Sequence, residues 1–348
     1  MAGKVFFHIA APKTGTTYLQ SILWGNRDRL ADAGLRLPGL NRRDHWWATM
    51  VVREDLRLAE KPPDAAGAWQ RVVDGCADWS GDAVISNELF GPASSEQAAR
   101  AVGALAPAEV HLVVTARNPL GTLTAAWQEL LRYRGIVSTL ADFDLADRSD
   151  PHDLWHWGNL DASEVLSRWG PCVPPERVHV VILPGSGSPP DELWRRFSGL
   201  IGFDPGRADL GASFGNSSMD AAGAEVLRRV NAHLDGKLTG KQRGRWIRDY
   251  LCRELLVPRG GARPVPPPHR IEECRARGAA GVAAIRDAGY HVVGDVDDLL
   301  VPDELPQASS DPLTDADVAD LAGEVVAAML LEIRGLDRAR RREKKAGG

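Results

Sequence analysis

The stretch Val5–Gln20, VFFHIAAPKTGTTYLQ, gathers residue types that can hold an anion. Lys13 supplies a compact positive charge, and Thr16 and Thr17 supply hydroxyl donors. Gly15 lets a backbone approach a ligand closely. If a helix begins at Thr16, its first N–H groups lack intrahelical partners and its dipole favours negative charge there. Two residues elsewhere could also do chemistry. Arg117 follows the apolar run Val110–Thr115, and its planar fork suits paired, charge-assisted bonds to a phosphate. Glu88 follows Ser86-Asn87 and can accept a proton.

These residues need elements to position them. Val5–Ala10 has the length of a buried strand, and Leu19, Ile22, Leu23 and Leu30 recur at helical spacing after the turn. Leu35–Leu37 is a short strand closed by Pro38-Gly39, and a helical stretch runs from His45 to about Leu58. A helix covers roughly Ala65–Trp79. Ala83–Glu88 reads as a core strand, Ser94–Leu105 as a helix and Val110–Thr115 as a second core strand. Arg117-Asn118-Pro119 then turns into a helix carrying Leu123, Trp127, Leu130 and Leu131. Leu140–Trp169 is expected to be helical and Val178–Leu183 to be a strand. Beyond Asp220 the expectation is mostly helix, with a short strand at Tyr290–Val293, a last helix at Ala316–Ile333 and a solvated basic tail, Arg338–Lys345. Strands separated by helices predict an α/β fold: a doubly wound parallel sheet with a P-loop-like phosphate-binding loop and a helix-rich C-terminal half. One domain is expected over residues 1–335, followed by the tail, 336–348. In such sheets ligands bind beyond the carboxyl ends of the strands, where Lys13–Thr17, Glu88 and Arg117 all fall.

The loop does not have the spacing of a nucleotide triphosphatase, G-x-x-x-x-G-K-[ST], because Lys13 precedes Gly15. The order PKTGTT after a buried strand closely resembles the 5′-phosphosulfate loop of the sulfotransferases that use 3′-phosphoadenosine 5′-phosphosulfate (PAPS). LPG followed by His45-Trp46, the Ser-x-Glu at residues 86–88, Trp127-Gln128-Glu129 and Gly294–Leu299 are similar to a bacterial branch of that family. The resemblance covers most of the chain, and its specific part is the two phosphate segments. It implies that Lys13, Thr14, Gly15, Thr16 and Thr17 hold the 5′ end of the donor, and that Tyr18 lies against adenine. It also implies that Arg117 holds the 3′-phosphate. The family's serine, eight positions after that arginine, is replaced here by Ala125. Thr122 and Thr124 are the nearby hydroxyls. Thr124 is kept as a candidate, although one residue on a helix turns a side chain by about 100°. Arg259-Gly260-Gly261 is the nearest match to a third, late donor-binding segment.

Sulfuryl transfer is an in-line displacement governed by positioning and by stabilisation of the leaving oxygen. The resemblance gives Lys13 that stabilising role, with no metal required. A base takes the proton from the acceptor hydroxyl or amine. Glu88 stands at the strand end where cytosolic members carry a histidine, and His45 lies where other members carry a glutamate. Histidine has the better unperturbed pKa, whereas glutamate needs burial to raise its own. Strand-end geometry favours Glu88, His45 is the competitor, and Asp44 or no base at all are the remaining options.

Two other readings stand beside this one. A catalytically impaired, sulfotransferase-like binding protein fits Ala125. A P-loop nucleotide kinase would need a lysine after the glycine and a strand-end aspartate for Mg²⁺, which the core strands lack. The acceptor, a small molecule, carbohydrate or lipid-like metabolite, is expected in an aromatic pocket including Trp46, Trp47 and Trp155. His152 and His156 have zinc-ligand spacing without a third ligand, so they are expected to pack or line a pocket. His8 is expected to be a satisfied core histidine.

The 348 residues, 44% of them hydrophobic and 26% charged, suit an ordinary globular chain. The net charge of −5 gives no reason to expect nucleic-acid binding. No apolar run reaches the length of a membrane span, so no membrane is expected as a partner. Four scattered cysteines without a C-x-x-C pair and the absence of a secretory h-region lead to an expectation of a cytoplasmic protein with reduced thiols. Asn216-Ser217-Ser218 matches a glycosylation sequon, read as incidental. The oligomeric state is not readable from the sequence.

Overall fold

The computed structural model describes residues 1–9, 11–146, 153–185, 187–211, 218–305 and 313–346, the last nine of these by backbone alone. His152 and the sequon residues Asn216-Ser217 lie outside that set. In chain order the first elements are β1 (Lys4–His8), α1 (Thr16–Gly25), α2 (Arg27–Asp32), β2 (Leu35–Arg36), α3 (Arg42–Val52) and α4 (Ala68–Ala77). Then come β3 (Asp82–Ser86), α5 (Ser95–Gly103), β4 (Glu109–Ala116), α6 (Pro119–Tyr133), α7 (Trp157–Leu160) and α8 (Ala162–Trp169). The rest are β5 (Val178–Ile182), α9 (Glu192–Leu200), α10 (Ala221–Leu234), α11 (Gly240–Arg243), α12 (Pro268–Asp287), β6 (His291–Val293) and α13 (Asp315–Ala346).

The strands form one six-stranded sheet in the order β2-β3-β1-β4-β5-β6, every pairing parallel. The β1 strand sits centrally, with Phe7 opposite Ile85 on one side and Leu112 on the other. The two-residue period sends Val5, Phe7 and Ile9 to one face and Phe6 to the other. Each face has its own apolar cluster, so the strands read as continuous apolar runs. Phe7 meets Phe90 and Trp169 edge-on at ring-centroid distances of 4.8 and 5.3 Å.

At the amino ends of three neighbouring strands, histidines line up across the sheet. His111 Nε2 lies 2.8 Å from Glu109 Oε1, His111 Nδ1 lies 2.8 Å from His179 Nε2, and His179 Nδ1 lies 2.9 Å from His291 Nδ1. With the rings neutral, one set of tautomers satisfies the row: His291 donates to His179, His179 to His111, and His111 to the carboxylate. Burial, with the neighbouring His111, His291 and Lys4, lowers the pKa of His179 to about 4.

The sequence reading expected one domain over residues 1–335. By internal packing the chain sorts into two compact units. The first, residues 1–122, 144–216 and 271–301, contains the sheet. The second, residues 123–143, 217–270 and 302–348, is helical and contains α10, α11 and α13. Within it, Gln128 brackets the main chain of Met219, accepting from its N–H at 3.1 Å and donating to its carbonyl at 2.9 Å. Asn231 donates to the carbonyl of Leu131 at 2.9 Å. From Gly244 to Leu256 the chain winds as a π-helix continuous with α11.

Other expectations change in detail. The helix starting near His45 begins at Arg42 and ends at Val52, where Glu54 takes a positive φ of 56° and Asp55 starts a 3₁₀ turn. Among the described residues of 140–169 only 157–160 and 162–169 are α-helical, and at the start of this stretch Thr139 and Asp142 bond to each other. The last helix reaches Ala346, so backbone expected in the tail is helical. No disulfide joins the four cysteines, and no described helix is long and apolar enough to cross a membrane.

Candidate functional site

The loop between β1 and α1 is built from the sheet outward. Lys13 and Gly15 both take left-handed backbone conformations, with φ of 69° and 84°. Gly15 is the N-cap of α1 and no side chain caps that end. A Cβ at Gly15 would overlap Leu193 of α9 and come within 3.2 Å of Leu183, so only glycine fits on both counts. The N–H groups of the first turn, Thr16, Thr17 and Tyr18, therefore stand at a narrow, side-chain-free helix start.

A buried polar chain fixes the loop to the middle of the sheet. Thr14 Oγ1 donates to the Ala11 carbonyl at 2.6 Å and lies 2.5 Å from Thr115 Oγ1. His8 Nε2 is 3.4 Å from Thr115 Oγ1, and His8 Nδ1 is 2.9 Å from Ser86 Oγ. Since Thr14 uses its proton on Ala11, the order is set: Ser86 donates to His8, His8 to Thr115, and Thr115 to Thr14. Burial lowers the pKa of His8 to about 3, which keeps the ring neutral and able to take part at both nitrogens. The side chain of Thr14 thus anchors the loop.

Glu88 follows β3, half-buried, and its Oε2 accepts from Gln20 Nε2 at 2.7 Å. Gln20 lies on α1 and accepts in turn from Arg42 Nη2 at 2.9 Å. The structure therefore joins Glu88 to the loop's own helix through a residue the sequence reading passed over. A buried glutamine on the apolar side of α1 was the available signal.

His45 is placed differently from the expectation for a base. It is fully buried; Nε2 lies 2.9 Å from the Pro38 carbonyl and Nδ1 accepts the Ser86 N–H at 3.2 Å. Both ring nitrogens are engaged with main chain, so no lone pair is left for an acceptor proton. Burial lowers its pKa to about 4 against opposing hydrogen bonds from Pro38 and Ser86. Its neighbour Asp44 is likewise structural: it accepts from the Leu40 N–H at 2.8 Å and pairs with Arg71 at 2.5 Å. Burial pushes the Asp44 carboxyl up, but the Arg71 and Leu40 bonds outweigh it and hold the pKa below the usual value.

Arg117 leaves the end of β4 and its guanidinium lies against Gly121, where a Cβ would come 2.5 Å from Nε and 2.9 Å from Cζ. Asn118 accepts from the Gly121 N–H at 2.7 Å and starts α6. Gly121 was not singled out in the sequence, although a glycine in the first turn of a helix is its visible trace. Thr124 and Ala125 belong to the helical second unit and are half-buried. Tyr18 reaches the Pro190 carbonyl at 3.4 Å, and burial, with Asp191, raises its pKa.

Of the expected aromatic lining, Trp47 is 6% exposed and belongs to the core. Trp46 is 37% exposed with Lys61 Nζ 5.6 Å from its ring, and Trp155 is half-buried. Arg259 pairs with Glu324 of α13. No group of three metal-ligating side chains occurs among the described residues.

The chain matches no protein-family model. It matches no curated protein. Among solved structures it is similar to a sulfotransferase from Alicyclobacillus acidocaldarius. That likeness has 16% identity and a TM-score of 0.40, over 62% of this chain and 87% of the other. At those values the reading of the site rests on its own geometry.

Proposed function

We propose that this chain is a sulfotransferase that takes the sulfuryl group of PAPS and passes it to a hydroxyl or amine of a small-molecule, carbohydrate or lipid-like acceptor. The observation that carries the reading is the β1–α1 loop: Lys13 and an uncapped Gly15 helix start at the end of the central strand, with Glu88 tied to the same helix through Gln20. Two glycines support this arrangement: the missing Cβ of Gly15 lets the loop pack against Leu193 and Leu183, and that of Gly121 leaves room for the Arg117 guanidinium.

In this reading the donor supplies an activated sulfuryl group. The N–H groups of Thr16 and Thr17 and the charge of Lys13 hold the 5′-phosphate, and Lys13 neutralises the bridge oxygen as charge develops on it. Arg117 takes the 3′-phosphate through its planar fork. Tyr18 lines the nucleotide. Glu88 Oε accepts the proton from the acceptor, and the Gln20 amide orients the carboxylate. Both ring nitrogens of His45 are hydrogen-bonded to main chain, which supports Glu88 over His45 as the base. No metal enters the scheme, and a cytoplasmic location accompanies it.

Calorimetry tests the assignment. The desulfated donor, 3′-phosphoadenosine 5′-phosphate, should bind more tightly than ATP with Mg²⁺. Equal or tighter binding of ATP would overturn the sulfotransferase reading in favour of a nucleotide kinase. Tight binding without any transfer to a phenol or to water would favour the impaired, binding-only alternative that Ala125 suggests.

A further inference from the structure

In the second unit, the end of α6 and the junction between α11 and the π-helix enclose a cleft of about 330 Å³. That volume lies in the range of small-molecule sites. Five cations line it: Arg132, Lys241, Arg243, Arg245 and Arg248. Among the described lining residues one carboxylate, Asp249, answers them. Asp249 pairs with Arg248 at 3.1 Å, and Glu129 acts on the same arginine. The lining therefore keeps a clear positive excess.

Arg243 is the decisive member. It is only 8% exposed, and its Nη1 donates to the neutral amide oxygen of Asn231 at 2.9 Å. Burial lowers its pKa, and among the described residues no carboxylate acts against that shift. Its fork carries five N–H groups, so donors remain beyond that one bond. A guanidinium taken out of water without a counter-charge is costly, and a bound anion offsets that cost. The fold also makes room for it: Gly135, at φ 73°, lies so close that any Cβ there would overlap the Arg243 guanidinium. Two further arginines at the cleft are held by rings. Arg245 lies 4.7 Å from the centroid of Trp246 and Arg248 lies 5.8 Å from that of Tyr133. Planar forks held in this way match tetrahedral oxyanions with paired bonds.

We infer that this cleft binds a multiply charged oxyanion, the phosphate or sulfate groups of an esterified small molecule, with residues other than those of the β1 loop. The inference does not depend on the sulfotransferase reading.

The test is calorimetry on the full chain with and without Lys13→Ala, which removes the positive charge that the β1 loop offers a competing anion. Inorganic pyrophosphate probes the phosphate arm and a trisulfated disaccharide the sulfate arm; the tighter of the two identifies the ester. Binding should survive Lys13→Ala and weaken as salt is raised. Added Arg243→Gln or Arg245→Gln should each weaken it by about tenfold or more. Arg245 is exposed, so its variant stays informative even if the buried Arg243→Gln protein fails to fold. Asp249→Asn should tighten binding by removing a competing carboxylate. Loss of all binding on Lys13→Ala alone, no binding of either probe, or unchanged affinity in Arg245→Gln and Asp249→Asn would overturn the assignment.

Discussion

At the scale of single residues, Lys13, Glu88 and His45 separate into different roles. Lys13→Ala should cost transfer rate more than donor affinity, because charge on the bridge oxygen grows only as the bond breaks. Loss of one such group lowers the rate by about 10²–10³. Glu88→Gln keeps the bond to Gln20 possible in shape but removes the proton acceptor, so it should lower the rate by about 10²–10⁴ with binding of the desulfated donor nearly unchanged. His45→Asn should act on stability, since it disturbs the contacts to Pro38 and Ser86, at a cost of about 1–3 kcal/mol. Single-turnover rates beside urea unfolding discriminate these outcomes. A fast Glu88→Gln protein beside a stable but inactive His45→Asn protein would reverse the assignment of the base. Gly121→Ala should push the Arg117 guanidinium off its seat. The expected result is a lost preference for the 3′-phosphorylated nucleotide over the same nucleotide without that phosphate, as in Arg117→Ala. Retained preference in both variants would place recognition of the 3′-phosphate elsewhere.

At the scale of elements, the join of β1 to α1 is the strained part. Its backbone turns through left-handed Lys13 and Gly15 within three residues. Gly15→Ala keeps the helix sequence but forces a side chain to φ 84° and against Leu193. It should destabilise the protein by about 1–2 kcal/mol from the backbone alone, with the Leu193 overlap adding to that. Because the loop N–H groups move with it, donor affinity should fall as well. Normal unfolding free energy and normal affinity in the variant would show that the loop has another conformation within easy reach. The polar chain from Ser86 through His8 and Thr115 to Thr14 explains why the sheet tolerates a neutral histidine at its centre: the ring links three strands to the loop.

For the whole molecule, the buried histidines set a dependence of stability on pH. In the folded state His8 titrates near 3 and His45 near 4, while both take the ordinary value of 6.5 when the chain unfolds. Between those values the unfolded chain binds more protons. Stability is therefore full above about pH 6.5 and falls as pH drops toward about 4, by about 1.4 kcal/mol per pH unit for each histidine. Urea titrations at several pH values across that window should show the decline, and a His45→Asn protein should show a shallower one. A stability that rises on acidification would contradict the burial of these rings.

How much of this was legible follows from how far apart the partners lie. The strand–turn–helix of Val5–Gln20, the alternation of strands and helices, and the strand-end positions of Glu88 and Arg117 are written in short windows, where period and turn residues act locally. The parallel sheet followed from that pattern. What tertiary structure alone decided depends on contacts between distant segments. Whether His45 is a base or a structural pin depends on Ser86, 41 residues away. Gln20 becomes the support of Glu88 across 68 residues, and His111, His179 and His291 become a row only once β4, β5 and β6 pair. Trp47 looked like pocket lining because a ring's type does not say which side of a helix faces the core. The division into two units, from segments interleaved along the chain, and the cluster of arginines lining the cleft at Arg243 leave no periodic trace, since each is assembled by packing rather than by local propensity.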